Sequence, residues 1–184
     1  MAGAPDRVAA VIGASSTRVQ SLFLEVVDTW LAEGVRVAGL IEEPISAVEQ
    51  VCSAGALRVI GTDERHSIFL DAPPAGTSCH VDASGAEAAS ASVLRKIAAA
   101  DIVVLSKFGK LEAGGGGIRP AFETAMRLGI PILTAVSEKH LDAWRAFAPV
   151  AEDLAPNSTA LFDWFAALRA HKAEAAVRRP NAQL

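Results

Sequence analysis

Apolar positions fall into two kinds along this chain: short unbroken runs, and longer stretches with an apolar residue every three or four places. Val8–Ile12 is an unbroken run closed by Gly13, the pattern of a strand buried on both faces of a parallel sheet. Residues 17–33 carry Val19, Leu22, Phe23, Val26, Trp30 and Leu31 at helical spacing, with Ser15 and Ser16 suited to cap the start and Gly34 to mark the stop. A second run, 35–41, apolar at nearly every position except Arg36, follows. This strand–helix–strand opening predicts a right-handed βαβ unit.

Glu42, Glu43 and Pro44 interrupt the pattern. The runs 57–60 and 67–70 flank a Gly-Thr-Asp-Glu-Arg segment and predict an inserted hairpin. The Pro-, Gly- and Ser-rich stretch 72–85 predicts a loop, and the alanine-rich stretch 86–99 a helix. A strand over 102–105, a glycine-rich loop over 107–117, a helix over 118–128 with Pro120 in its first turn, and a strand over 130–136 complete a second α/β unit. Ser137 is placed to cap a helix over 138–147, and Asn157 or Ser158 to cap a last helix over 159–176. The expected fold class is α/β, three-layer, with a mainly parallel sheet of about five strands and an insertion at about 44–85. Residues 1–184 form one domain, with a tail, 178–184, expected to fray.

Composition narrows the function more than it names it. Hydrophobic residues make up 51% of the 184, much of it alanine, and no stretch approaches the roughly 18 apolar residues of a spanning helix. The first residues lack the basic start and apolar run of a signal peptide, so a cytoplasmic protein without membrane association is expected. The net charge of −4 argues against a nucleic-acid partner, which asks for a basic face. Cys52 and Cys79 are too few for a disulfide framework. Alanines over 86–100 allow close packing against a second subunit, which makes a homo-oligomer an open expectation.

Two stretches carry a family resemblance. One is Ala100-Asp101-Ile102-Val103-Val104-Leu105-Ser106-Lys107-Phe108-Gly109-Lys110-Leu111-Glu112. The other runs from Gly117-Ile118-Arg119-Pro120 to Gly129-Ile130-Pro131-Ile132-Leu133-Thr134-Ala135-Val136 and on to Trp144-Arg145-Ala146-Phe147. Together they resemble the bacterial domain-of-unknown-function 2478 family, with its KFGK-containing loop, its GIPxLTAV strand and its WxxF helix. Cys79 falls where that family tends to have a cysteine. More distantly the layout is similar to small P-loop nucleoside triphosphatases. The resemblance implies that fold, no agreed activity, and a hint of molybdenum metabolism from neighbouring molybdate-transport genes.

The phosphate-loop chemistry itself is missing. A working loop, G-x-x-x-x-G-K-[ST], needs its second glycine for close backbone approach, a lysine for the β and γ oxygens and a hydroxyl for Mg²⁺. Counting from Gly13, those places hold Arg18, Val19 and Gln20. The strand over 102–105 leads into Ser106 and Lys107, where the magnesium-binding acid belongs. Glu112 is the carboxylate available if the protein is an enzyme, and no metal site is expected.

Ligands of parallel sheets gather at the carboxyl ends of the strands. There the sequence offers Ser15, Ser16 and Thr17 at the first helix, Lys107 and Lys110 after a later strand, and Gly115, Gly116 and Arg119 leading into another helix. Helix N-termini and glycine nests bind oxyanions, so these eight residues are the candidate ligand-binding set, with a nucleotide or oxyanion as the small anionic ligand. Solvated cations beside a mobile glycine lid are the plainer alternative. Cys79-His80 with Cys52 and His66 match no familiar zinc spacing. Trp144, Phe147, Trp164 and Phe165 read as core. The leading functional expectation is a non-hydrolysing anion- or nucleotide-binding protein. A divergent nucleotide phosphohydrolase, and an interaction module that kept the fold and lost the ligand, are the alternatives.

Overall fold

The computed structural model describes residues 7–43, 55–70 and 81–177, with the side chain at 176 left out. Cys52, Cys79 and His80 lie outside those residues, as do most of the insertion and the tail. In chain order the elements are β1 (Val8–Ile12), α1 (Ser16–Ala32), β2 (Val37–Glu43), β3 (Ala56–Val59), β4 (Arg65–Ser67), α2 (Ala83–Ile97), β5 (Ile102–Phe108), α3 (Lys110–Ala113), α4 (Arg119–Leu128), β6 (Ile132–Val136), α5 (Leu141–Phe147), β7 (Glu152–Leu154) and α6 (Ser158–Val177), with a 3₁₀ turn, Glu138–His140, before α5.

The strands form one sheet in the order β4-β3-β2-β5-β6-β1-β7. Its five central and right-hand members, β2, β5, β6, β1 and β7, run parallel, and β3 and β4 add an antiparallel ribbon at one edge. Among the described residues seven strands take the place of the five expected. The hairpin is not a separate appendage: β3 pairs with β2 and so extends the main sheet. β7 escaped notice because Glu-Asp-Leu is polar in two of three places, and both polar residues are exposed on an edge strand. Element ends also move. β5 continues through Ser106 and Lys107 to Phe108, so the segment expected as a loop over 107–117 opens with the last two residues of a strand and goes on into one short helical turn.

Helices cover both faces, giving three layers. On one face α1 and α6 pack Phe23, Val26, Trp30, Leu161 and Phe165 against Val11, Ile41, Val104 and Leu133. On the other, α2, α4 and α5 pack Ala89, Val93, Phe122, Ala125 and Trp144 against Leu40, Val103, Leu105 and Ile132. The four aromatic rings of Phe108, Phe122, Trp144 and Phe147 form one cluster there, with centroids 5.2–6.1 Å apart. Among the described residues, α1 is the helix that joins two strands over the first face, crossing from β1 to β2. The connections between β2, β5 and β6 run over the second face. This reversal of direction leaves a crevice at the carboxyl edge beside β1.

One glycine is fixed by this packing. Gly39 in β2 has φ of 140°, and a Cβ there would overlap the carbonyl oxygen of Val104 on β5. Among the described residues no helix is long and apolar enough to cross a membrane.

Candidate functional site

The crevice at the carboxyl edge is built from the ends of β1, β2, β5 and β6. β1 stops at Ile12 and α1 starts at Ser16, so only Gly13, Ala14 and Ser15 join them. That connection is too short to wrap a phosphate chain, which needs several glycine-rich residues. Gly13 makes the turn with φ of 79°. Ser15 caps the helix, its Oγ accepting from the Arg18 amide at 3.4 Å. The Ser16 and Thr17 amides have no partner among the described residues, so the positive end of α1 stays open.

Two of the three positions of the lost phosphate-loop groups have been given to the core, while Arg18 is exposed. Val19 is buried, and Gln20 is buried beside it. The Gln20 Nε2 donates to the Ser106 carbonyl at 2.8 Å, and its Oε1 accepts from the Glu42 amide at 3.0 Å. Regular β2–β5 pairing ends at Leu40 and Leu105, so one side-chain amide supplies the partners the two strands stop giving each other. From sequence Gln20 was indistinguishable from a surface residue flanking an apolar stripe.

The register of β5 against β6 shifts between Leu105 and Phe108. Such an irregularity re-aims a side chain. Lys107 there turns toward β2, and its Nζ lies 2.7 Å from Oε2 of Glu42. The pair is lopsided. Lys107 is 42% exposed and Glu42 only 7%. The contact is close in distance but not aligned as a hydrogen bond, and Oε2 has no hydrogen-bonding partner among the described residues. Glu42 read in the sequence only as the end of an apolar run. Lys107 and Glu42 belong to the wall of a cavity of about 250 Å³. Its other walls are Leu57, Ile68, Val81 and Ala86, with Ser106 and the 109–112 turn and Ile118 closing it. Lys110 lies on its rim.

The glycine-rich turn is closed on itself. Glu112 is buried, and its two oxygens accept from the Gly109 amide at 2.9 Å and the Ile118 amide at 3.0 Å. The amides of Gly114, Gly115 and Gly116 point back at the carbonyls of Lys110, Glu112 and Leu111. Those three amides therefore cap α3 rather than forming an outward anion nest. Gly117, at φ of 62°, lies where a Cβ would strike the Glu112 carboxylate. Arg119 is engaged three ways: 2.7 Å to Glu123, 3.1 Å to the Glu112 carbonyl, and stacked 4.7 Å over the Phe147 ring.

Of the eight sequence candidates, the structure thus gathers Lys107 and Lys110 at one cavity. Ser15, Ser16 and Thr17 stand at the end of β1, two strand positions away from β5, or about 10 Å across the sheet. Gly115, Gly116 and Arg119 brace the turn behind Lys110. His140 follows the end of β6, its Nδ1 3.0 Å from Ser137 Oγ. Burial holds its imidazole below the usual value, nearby Lys139 and Lys107 add to this, and Glu112 pulls the other way. Ser137 thus binds His140 instead of capping the following turn.

Two other constellations have plainer roles. Ser92, His66 and Glu64 meet in space, but Nε2 of His66 lies 3.0 Å from both Ser92 Oγ and Glu64 Oε1. A proton relay uses the two imidazole nitrogens for the two partners. Here one nitrogen serves both, and the trio ties β4 to α2. Among the described residues no group of three or more His, Cys, Asp or Glu could hold a metal ion.

Comparison with known proteins places this geometry in context. The family model described as protein of unknown function (DUF2478) matches residues 8–164. The molybdenum import ATP-binding protein ModC 2 of Bradyrhizobium diazoefficiens is 32% identical over 145 residues, 78% of this chain; the aligned part is 16% of that protein's length. The human cancer-related nucleoside triphosphatase, known in solution, superposes with a TM-score of 0.53 at 16% identity, covering 95% of this chain and all of that one. At that identity the likeness shows a shared P-loop-type fold.

Proposed function

We propose that this chain, which belongs to the DUF2478 family of proteins of unknown function, binds a small nucleotide or oxyanion at the carboxyl edge of its sheet without hydrolysing it. The observation that carries the reading is the half-exposed Lys107 at a cavity, in a fold whose hydrolytic positions hold Val19, Gln20 and Ser106 and whose Glu112 already accepts two backbone amides. Lys107 and Lys110 supply the charge, and the open first turn of α1 at Ser16 and Thr17 supplies amides. Ser15 sets that turn, while Gly115, Gly116 and Arg119 keep the 109–118 segment in place. The matched stretch of a molybdenum import ATP-binding protein supports a ligand or partner in molybdate or molybdenum-cofactor metabolism.

The test is thermal unfolding of the purified chain against ATP, GTP, phosphate, sulfate, molybdate and tungstate, each with and without Mg²⁺. A ligand that binds only the native state adds about 2.7 kcal/mol at a hundredfold excess over its Kd. A magnesium-independent rise with one class of anion supports the proposal. A rise that requires Mg²⁺, with phosphate released, points to a phosphohydrolase. No rise with any of them favours an interaction module.

A further inference from the structure

We infer that Glu42 is an internal competitor for the anionic group of the ligand: it holds Lys107 before a ligand arrives, and an anion must contend with it for the lysine. This rests on the binding reading above. It makes Glu42 a positioning residue that acts through Lys107 and sets which ligands the site admits.

The two partners differ in how far they can move. Glu42 sits at the end of β2, paired with Leu57 of β3, and its amide donates to Gln20 Oε1 at 3.0 Å. Its side chain is only 7% exposed, and Oε2 is fully enclosed. Lys107 is 42% exposed on a long flexible stem, with Nζ 2.7 Å from that oxygen. The lysine is therefore the partner that can turn outward, and the carboxylate is the one that stays.

Nothing nearby is placed to relieve Glu42 when the lysine is engaged elsewhere. Leu57, Ile68, Ala86 and Ile118 are buried apolar walls of the same cavity. Arg58 and Arg65 of the antiparallel ribbon are both paired with Glu43. If an anion draws Lys107 away, a buried carboxylate is left without its counter-charge, which is costly. If the anion shares the ammonium, two negative groups meet a few ångströms apart in apolar surroundings, where they repel. On either route Glu42 opposes the ligand.

The consequence is selectivity. An uncharged hydroxyl or carbonyl is a weaker partner for an ammonium than a carboxylate is, so neutral ligands leave the pair closed. Among the described residues Lys110 has no ion-pair partner. It stands at the rim of the same cavity, where it meets an arriving anion without this competition.

The experiment is isothermal titration of the full chain and of Glu42→Gln with pyrophosphate, molybdate and ATP, at one pH and one salt concentration, with folding checked by circular dichroism. Glu42→Gln should bind at least one of these anions about tenfold or more tighter than the parent, a gain that a merely structural role would not give. Glu42→Leu, which suits the apolar walls, should show the same gain and serves if the glutamine variant does not fold. Glu87→Gln removes an exposed carboxylate beside the glycine turn and should change affinity less than about twofold. Binding by the variant but not by the parent also supports the inference. Affinity unchanged or lowered in the Glu42 variants overturns it and leaves the binding reading standing. An equal gain in Glu87→Gln overturns it too, since it would be the effect of overall charge. Binding of no anion by the parent or any variant overturns both.

Discussion

Gln20 donates from Nε2 to the Ser106 carbonyl at 2.8 Å, joining the first helix to the strand that carries Lys107. In a hydrolysing phosphate loop the residue at this place would hold the magnesium hydroxyl; here it fastens β5 and β2 together as they part. Gln20→Leu keeps the volume but leaves the Ser106 carbonyl and the Glu42 amide unpaired in the core. It should cost about 2–4 kcal/mol, the price of two buried orphaned groups, and lower the urea midpoint with an unchanged slope. A loss under about 0.5 kcal/mol would show that water replaces the amide freely.

Glu112 gives a sharper distinction between architecture and chemistry. Glu112→Gln removes one of the two acceptors for the Gly109 and Ile118 amides. The expected loss is about 1–3 kcal/mol in denaturant unfolding, with ligand affinity lowered only as far as the turn loosens. A variant as stable as the parent that has lost a phosphate-releasing activity would instead mark Glu112 as a catalytic base.

Gly39→Ala should be among the most damaging single changes in the chain. The methyl group would overlap the Val104 carbonyl in the centre of the sheet, at a backbone φ that favours glycine. Overpacking and strain together are expected to cost roughly 3 kcal/mol or more. Recovery of normally stable, soluble protein would mean β2 and β5 are not this close.

Acid should weaken the antiparallel edge. Burial raises the Glu43 carboxyl, but hydrogen bonds from Arg58 and Arg65 outweigh it and hold the group below its ordinary 4.5. A depressed carboxylate contributes stability that is full above its unfolded value and disappears as pH falls through the folded one. Stability of the parent should therefore fall as pH drops from about 5 toward 3, and Glu43→Gln should flatten part of that fall. Superimposable acid profiles for the two proteins would remove Glu43 from the account.

Much of this architecture was legible in the sequence because the central strands are unbroken apolar runs and α1 has a clean stripe. β7 was not, since an exposed edge strand need not be apolar. The path of 107–117 was not legible either: glycines suggest a loop, and only the fold shows Glu112 drawing the Gly109 and Ile118 amides together. For the site, Lys107 and Lys110 could be named from their place after a buried strand. Glu42, Gln20 and His140 could not, because their roles arise from neighbours far away in sequence. Arg119 was named for its charge, which the structure directs at Glu123 and the Phe147 ring.

The most direct measurement is calorimetric titration of the parent chain and of Lys107→Ala with GTP, ATP and molybdate, with and without Mg²⁺, while free phosphate is followed in the same samples. The account expects one of these to bind without magnesium, to weaken at least about tenfold in Lys107→Ala, and to release no phosphate. Magnesium-dependent binding with phosphate release, or binding unaffected by loss of Lys107, would contradict it.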